Sequence, residues 1–152
     1  MNAGHTLGAP DRVIKLLIEQ RDLYRRLAAL SARQHDVITA DRPEALLNVL
    51  QERQTVVISL ARINEQLAPF RADWDGACRR LTDDGRAQAA GLLAEINAML
   101  ARILKADRED ADLLSARKQL AGAALDSVNR GQAGRQAYAP GAARGGDADV
   151  HV

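Results

Sequence analysis

Apolar residues recur at alternating three- and four-residue spacings through the first third of the chain. The seam that they form, which includes two glutamines, consists of Val13, Leu16, Gln20, Leu23, Leu27, Leu30, Gln34 and Val37. This spacing is typical of a long α-helix that packs by knobs into holes against other helices. Pro10 suits the first turn of such a helix, because the N–H that proline lacks would have no partner there. We therefore predict a first helix over about residues 11–39.

The same spacing returns after a short connection. The second seam consists of Leu46, Val49, Arg53, Val56, Leu60, Ile63 and Leu67. Arg53 interrupts its apolar character, and we expect the guanidinium to reach an acidic or polar partner such as Gln20 or Gln34. Leu50 and Val57 are expected to widen the buried stripe. The pattern predicts a second long helix paired with the first.

Residues that start and stop helices divide the chain. Asp-Arg-Pro-Glu at 41–44 has the form of a capping box, which predicts a tight turn between two antiparallel helices. Pro69 predicts the end of the second helix, and Phe70 and Trp74 are expected to cover that end of the hairpin. Thr-Asp-Asp at 82–84 resembles an N-cap followed by acidic residues, so a third helix should begin there.

The third helix has a strong seam at first and a weaker one later. Leu93, Ile96, Leu100 and Ile103 form the strong part. Residues 105–112 are almost wholly polar, and we interpret their four carboxylates as a solvated face rather than a cation site. A thinner apolar stripe follows, which we call the C-terminal stripe: Leu113, Leu114, Leu120, Leu125 and Val128. It either binds a helix of another protein or packs on the hairpin or on a second copy of the chain.

These elements predict an all-α fold, an elongated antiparallel helical hairpin plus a long third helix in a coiled-coil-like bundle. The predicted organisation is a flexible leader over residues 1–9, a helical bundle domain over 10–128 and a mobile tail over 129–152. Gly131 and Gly134 are expected to end the helix before the tail. The tail is rich in Gly, Ala, Arg, Asp and Gln, so it has little apolar surface to offset the entropy of ordering.

Composition and charge exclude several classes of function. The formal net charge of +1 creates no long-range field, so nucleic acid is not an expected partner. The first residues lack the pattern of a signal peptide, and no run of about 18 apolar residues is present. We therefore expect a cytoplasmic protein without membrane insertion. The single cysteine, Cys78, agrees with a reducing compartment.

The residues that carry chemistry form no recognisable constellation. His5, His35 and His151 share no motif, and Cys78 has no CxxC partner. We therefore predict no catalytic site, no metal, no cofactor and no enzymatic activity. Tyr138 is the one aromatic residue of the predicted tail, and its role as a binding anchor or as an incidental residue stays open.

Four segments carry a family resemblance when they are taken in chain order. They are VIKLLIEQRDLYRRLAALSARQ, DRPEALLNVLQERQTVVISLARINEQLAP, FRADWD and NRGQAGRQAY. Together they resemble the FlgN-type flagellar export chaperones over about residues 13–140. The resemblance implies a small helical chaperone that binds hook-associated proteins of the hook-filament junction, prevents their premature assembly and delivers them to the type III export gate.

The family resemblance also implies roles for particular residues. Client contact in the C-terminal part of such chaperones maps onto the C-terminal stripe. A tyrosine in the C-terminal segment docks on the cytoplasmic domain of the export gate, and Tyr138 matches it. The alternative is a structural coiled-coil protein that self-associates through its seam and has no client. Homodimerisation of the chain stays open in either case.

Overall fold

The structure is a computed structural model that describes residues 8–136, with side chains described for residues 8–131. Within this range the chain forms helices and no strand: α1 (Ala9–Thr39), α2 (Pro43–Ala72), α3 (Trp74–Arg79) and α4 (Asp83–Gln136). The predicted all-α fold is therefore confirmed. Two compact units divide the chain, residues 1–108 and residues 109–152, where the sequence predicts one domain over 10–128.

Two apolar clusters hold α1, α2 and the first part of α4 together. The first cluster is Val13, Leu16, Leu17, Ile63, Leu67, Leu81, Ala89 and Leu92. The second is Leu27, Leu30, Val49, Val56, Leu60 and Ile103. The start of α1 meets the end of α2 in the first cluster and the order reverses in the second, so the two helices are antiparallel. Fully burying one such aliphatic side chain contributes about 1.5–3 kcal/mol.

Six of the eight predicted seam residues on α1 and five of the seven on α2 are buried, and the others are half-buried. The predicted width of the α2 stripe is wrong. Leu50 and Val57 are each 45% exposed. At 100° per residue they lie about 20–40° beyond Leu46 at the edge of the seam and about 80–120° from Val49 and Val56, so they turn away from α1 when those two residues face it.

A Schellman motif rather than a capping box closes the turn between α1 and α2. The Arg42 N–H donates to the Val37 carbonyl at 3.0 Å, and the Asp41 N–H donates to the Ile38 carbonyl at 3.0 Å. Asp41 has φ 56, which is the left-handed conformation that this motif needs. The N-cap of α2 is Arg42, which makes no side-chain cap bond, so the predicted capping box is wrong.

The end of α2 and the short helix α3 differ in part from expectation. Pro69 does not end α2, which continues to Ala72. Pro69 is exposed, so the carbonyl that loses its helical partner can be solvated. Phe70 and Trp74 pack against the first apolar cluster, as predicted. The Asp73 carboxylate then caps α3 by accepting from the Gly76 N–H at 3.0 Å.

The start of α4 is as predicted, and its end is not. The Thr82 hydroxyl accepts from the Gly85 N–H at 3.0 Å, which confirms the N-cap. Gly131 lies inside the helix, which continues to Gln136, so the predicted helix end near residue 129 is wrong. A glycine costs about 1 kcal/mol relative to alanine, which is too little to end a 54-residue helix. None of the described helices is long and apolar enough to span a bilayer.

We expect Asp41→Val to lower the free energy of unfolding by about 1–2 kcal/mol, because a β-branched side chain is strained in the left-handed region. Asp41→Gly should leave stability equal or higher, since glycine has no Cβ. Denaturant unfolding measures both. Ala40→Val is the control, because Ala40 is exposed with φ −78. Equal losses for the two valine variants would contradict the turn geometry.

Candidate functional site

The C-terminal stripe is an exposed apolar face within the unit of residues 109–152. Leu114 is 41% exposed, Leu120 71%, Leu125 51% and Val128 55%, whereas Leu113 is half-buried. At 100° per residue, the five side chains fall within an arc of about 140° on α4. The positions that the sequence singles out therefore share one side of one helix.

The chemistry of the C-terminal stripe is that of a docking face. Aliphatic side chains in this arc offer dispersion contacts and apolar area, but no nucleophile, acid or base. Arg117 lies in the same arc and is half-buried. An amphipathic helix or an apolar groove of another protein is the kind of surface that such a face fits.

A polar junction links α1, α2 and α4 within the unit of residues 1–108. Arg53 Nη1 donates to Gln34 Oε1 at 3.0 Å and to Asp107 Oδ1 at 3.0 Å. Arg53 Nη2 donates to Asp107 Oδ2 at 2.8 Å, which makes the ion pair bidentate. The predicted contact between Arg53 and Gln34 is confirmed, and Asp107 is a partner that the sequence reasoning missed.

The solvated acidic face predicted after residue 105 is wrong at two of its four carboxylates. The Asp107 side chain is 33% exposed and pairs with Arg53, and Asp110 is only 1% exposed. The sequence contains a signal for the burial of Asp107 and Asp110, because the three-four spacing of Met99 and Ile103 continues to positions 107 and 110. Glu109 and Asp112 are exposed, as predicted.

The remaining polar groups of residues 8–131 show no arrangement that could hold a metal ion. Gln20 is buried and its Nε2 donates to Asn64 Oδ1 at 2.8 Å, so it pairs with Asn64 rather than with Arg53. Cys78 is a half-buried free thiol. No group of three or more His, Cys, Asp or Glu side chains is placed to hold a metal ion in that part of the chain.

Comparison with protein families identifies the family of the chain. The family model described as FlgN protein matches residues 1–144, which include both apolar seams, the C-terminal stripe and Tyr138. The chain belongs to the FlgN family. The FlgN resemblance predicted from the sequence is thus confirmed. No curated protein and no solved structure gives a significant match.

FlgN membership sets the general function. FlgN proteins are flagellar chaperones and not known as enzymes, and the family implies binding of flagellar hook-associated proteins. The apolar, exposed C-terminal stripe agrees with a protein that binds other proteins. Tyr138, the residue expected to dock on the export gate, lies outside the described residues.

Breaking the polar junction should destabilise this FlgN protein. We expect Asp107→Asn to lower the free energy of unfolding by about 1–3 kcal/mol, because it leaves the largely buried Arg53 guanidinium without its counter-ion. Replacing both charges, with Arg53→Met and Asp107→Leu together, should recover most of that loss. Denaturant unfolding monitored by helical circular dichroism measures each variant.

Glu52→Gln provides the matched control for this amide substitution. Glu52 pairs with Arg33 at 3.3 Å, but the two side chains are 51% and 56% exposed. Its loss should stay below about 1 kcal/mol, since water screens the exposed pair. If Asp107→Asn cost no more than Glu52→Gln, the junction would have no special role in stability.

Proposed function

We propose that this protein is a cytoplasmic type III flagellar export chaperone that binds hook-associated proteins of the hook-filament junction through its C-terminal stripe. It prevents their premature assembly and delivers them to the export gate. The exposure of Leu114, Leu120, Leu125 and Val128 on one face of α4 carries this proposal, together with membership of the FlgN family. Folding of the single chain leaves these side chains in water, so their burial is still available to a client.

The size and composition of the stripe fit reversible binding. Burying the half-exposed remainder of one such side chain is worth about 1 kcal/mol, before the cost of association is subtracted. Five such side chains contribute about 5 kcal/mol, less than the roughly 8 kcal/mol of a micromolar complex, so the stripe favours moderate affinity over permanent assembly. A chaperone that must give up its client at the export gate needs this kind of affinity, and it protects the client by mass action.

The alternatives left open for the stripe are also addressed by burial. If the stripe were core of the single chain, its side chains would be as buried as Val49 or Val56, which are both 0% exposed. Leu120 is instead 71% exposed. This contrast supports a binding face over a position in a packed core.

A structural coiled coil that associates through its seam is the less favoured function. That function requires seam residues to be buried between chains. Val13 and Leu16 are 1% and 3% exposed within one chain, where they contact residues of α2 and α4. The seam is thus already used for folding, which favours the chaperone.

Leu114→Asp combined with Leu120→Asp should raise the Kd for the hook-associated client at least about 30-fold, because two aliphatic contacts become buried charges. Isothermal titration of purified client into the full chain measures this. Leu104→Asp is the matched control, since Leu104 is 50% exposed on the same helix but lies outside the stripe. Circular dichroism should show unchanged helicity for all variants, because the substituted side chains are exposed.

Two results would contradict the proposed client site. One is client binding that survives the double substitution in the stripe. The other is an equal loss for Leu104→Asp, which would indicate a general effect of added negative charge on α4. Loss of helicity in the double variant would show that the stripe is part of the core.

We further propose that Tyr138 docks on the cytoplasmic domain of the export gate, in line with the family resemblance. Tyr138→Ala should then leave the client Kd unchanged and reduce secretion of the hook-associated proteins at least about tenfold, because the loaded chaperone no longer reaches the gate. Tyr138→Phe is the control, since it keeps the aromatic ring. Normal secretion by the alanine variant would contradict this role.

A further inference from the structure

Helix α2 has a second apolar face that folding leaves in water. We call it the outer face of α2, and it consists of Leu47, Leu50, Val57 and Ile58. Each of these side chains is between 45% and 57% exposed. A cluster of large exposed aliphatic side chains on one helix is uncommon on a monomer and typically marks an interaction surface.

Helix geometry separates this face from the buried seam of α2. At 100° per residue, the four side chains span an arc of about 100°, and the centre of that arc lies about 120° from the centre of the seam. Gln54 lies in the middle of the arc and is exposed. The outer face is therefore a surface of its own, and α1 cannot cover it.

The outer face is nearly symmetric about the level of residue 53. Leu47 and Ile58 lie at similar distances on either side of this level and share one edge of the face. Leu50 and Val57 do the same on the other edge. In an antiparallel pair of identical helices related by a two-fold axis, Leu47 of one copy would meet Ile58 of the other, and Leu50 would meet Val57.

Two oppositely charged residues beside the outer face are also placed symmetrically about residue 53. Glu44 and Arg62 are equidistant from residue 53 and lie on one flank of the outer face at 100° per residue. Both are exposed, and in the described part of the chain neither takes part in an ion pair. The two-fold arrangement would place Glu44 of each copy beside Arg62 of the other, which gives two attractive pairs.

We propose that two copies of this chain associate through the outer face of α2, as an antiparallel pair with its two-fold axis at the level of residue 53. A second copy fits better than an unrelated protein, because symmetry in both the apolar positions and the charges is what an isologous interface requires. The four side chains supply only a small apolar core, whereas a standard interface buries about 800 Å² per partner. The dimer is therefore weak, with a Kd on the order of micromolar.

Sedimentation equilibrium of the full chain tests the dimer directly. We expect a monomer–dimer equilibrium across about 1–200 µM, and Leu50→Asp should raise the dimer Kd at least about 30-fold because each substitution occurs twice. Asn48→Asp is the matched control, since it adds the same charge on an exposed position of α2 away from the outer face. A chain that is monomeric throughout this range would overturn the proposal.

Charge reversal tests the two-fold geometry. Glu44→Arg alone and Arg62→Glu alone should each weaken the dimer, because each places like charges together, whereas the double variant should restore it. A dimer that is insensitive to both single variants, or that is not restored by the double variant, would overturn the arrangement.

Variants of the C-terminal stripe separate this interface from client binding. Leu114→Asp with Leu120→Asp should leave the dimer Kd unchanged, whereas Leu50→Asp should leave client affinity unchanged. Dissociation of the dimer by the stripe variant would overturn the proposed interface. Loss of client binding by Leu50→Asp would assign the outer face to the client instead of to a second copy.

Discussion

The antiparallel pairing of α1 and α2 is the constraint on which the rest of the structure depends. Neither helix can bury its apolar residues alone, and a three-four repeat leaves only one arc of each helix available for the partner. Val13 and Leu67 belong to one cluster, and Leu30 and Val49 belong to the other. Once these clusters form, the directions that the remaining sides of both helices face are fixed. The first part of α4 then adds Ala89, Leu92 and Ile103 to the same two clusters.

Polar residues inside the seam add specificity to this apolar pairing. An aliphatic seam tolerates slippage by one repeat, whereas a buried polar group has to find its own partner at a fixed height. Gln20 meets Asn64 at 2.8 Å, and Arg53 meets Gln34 and Asp107 at 2.8–3.0 Å. A shift of either helix would leave these groups buried without partners, at a cost of about 1–3 kcal/mol for each.

The sequence predicts the helices and the buried seams because both follow from local periodicity. It predicts partners across helices less well, since these depend on register. An acidic or polar partner was expected for Arg53, but the sequence does not identify Asp107, which only the packing of α4 brings to it. The conformation of Asp41 was missed for a related reason, because a capping box and a Schellman motif compete for the same residues and the sequence does not rank them. The C-terminal stripe was predictable as a set of positions, while its exposure required the structure.

The large apolar side chains that stay exposed are distributed unevenly among the helices. All nine large apolar side chains exposed in the described residues lie on α2 and α4, and none lies on α1. The large apolar side chains of α1 therefore pack in the core. In contrast, α2 and α4 carry exposed aliphatic residues that contribute little to the stability of the single chain. Each of those side chains keeps about half of its apolar area in water, so its free energy of burial remains available. An association through these side chains would thus use apolar surface that folding leaves exposed, and the core would keep its stability.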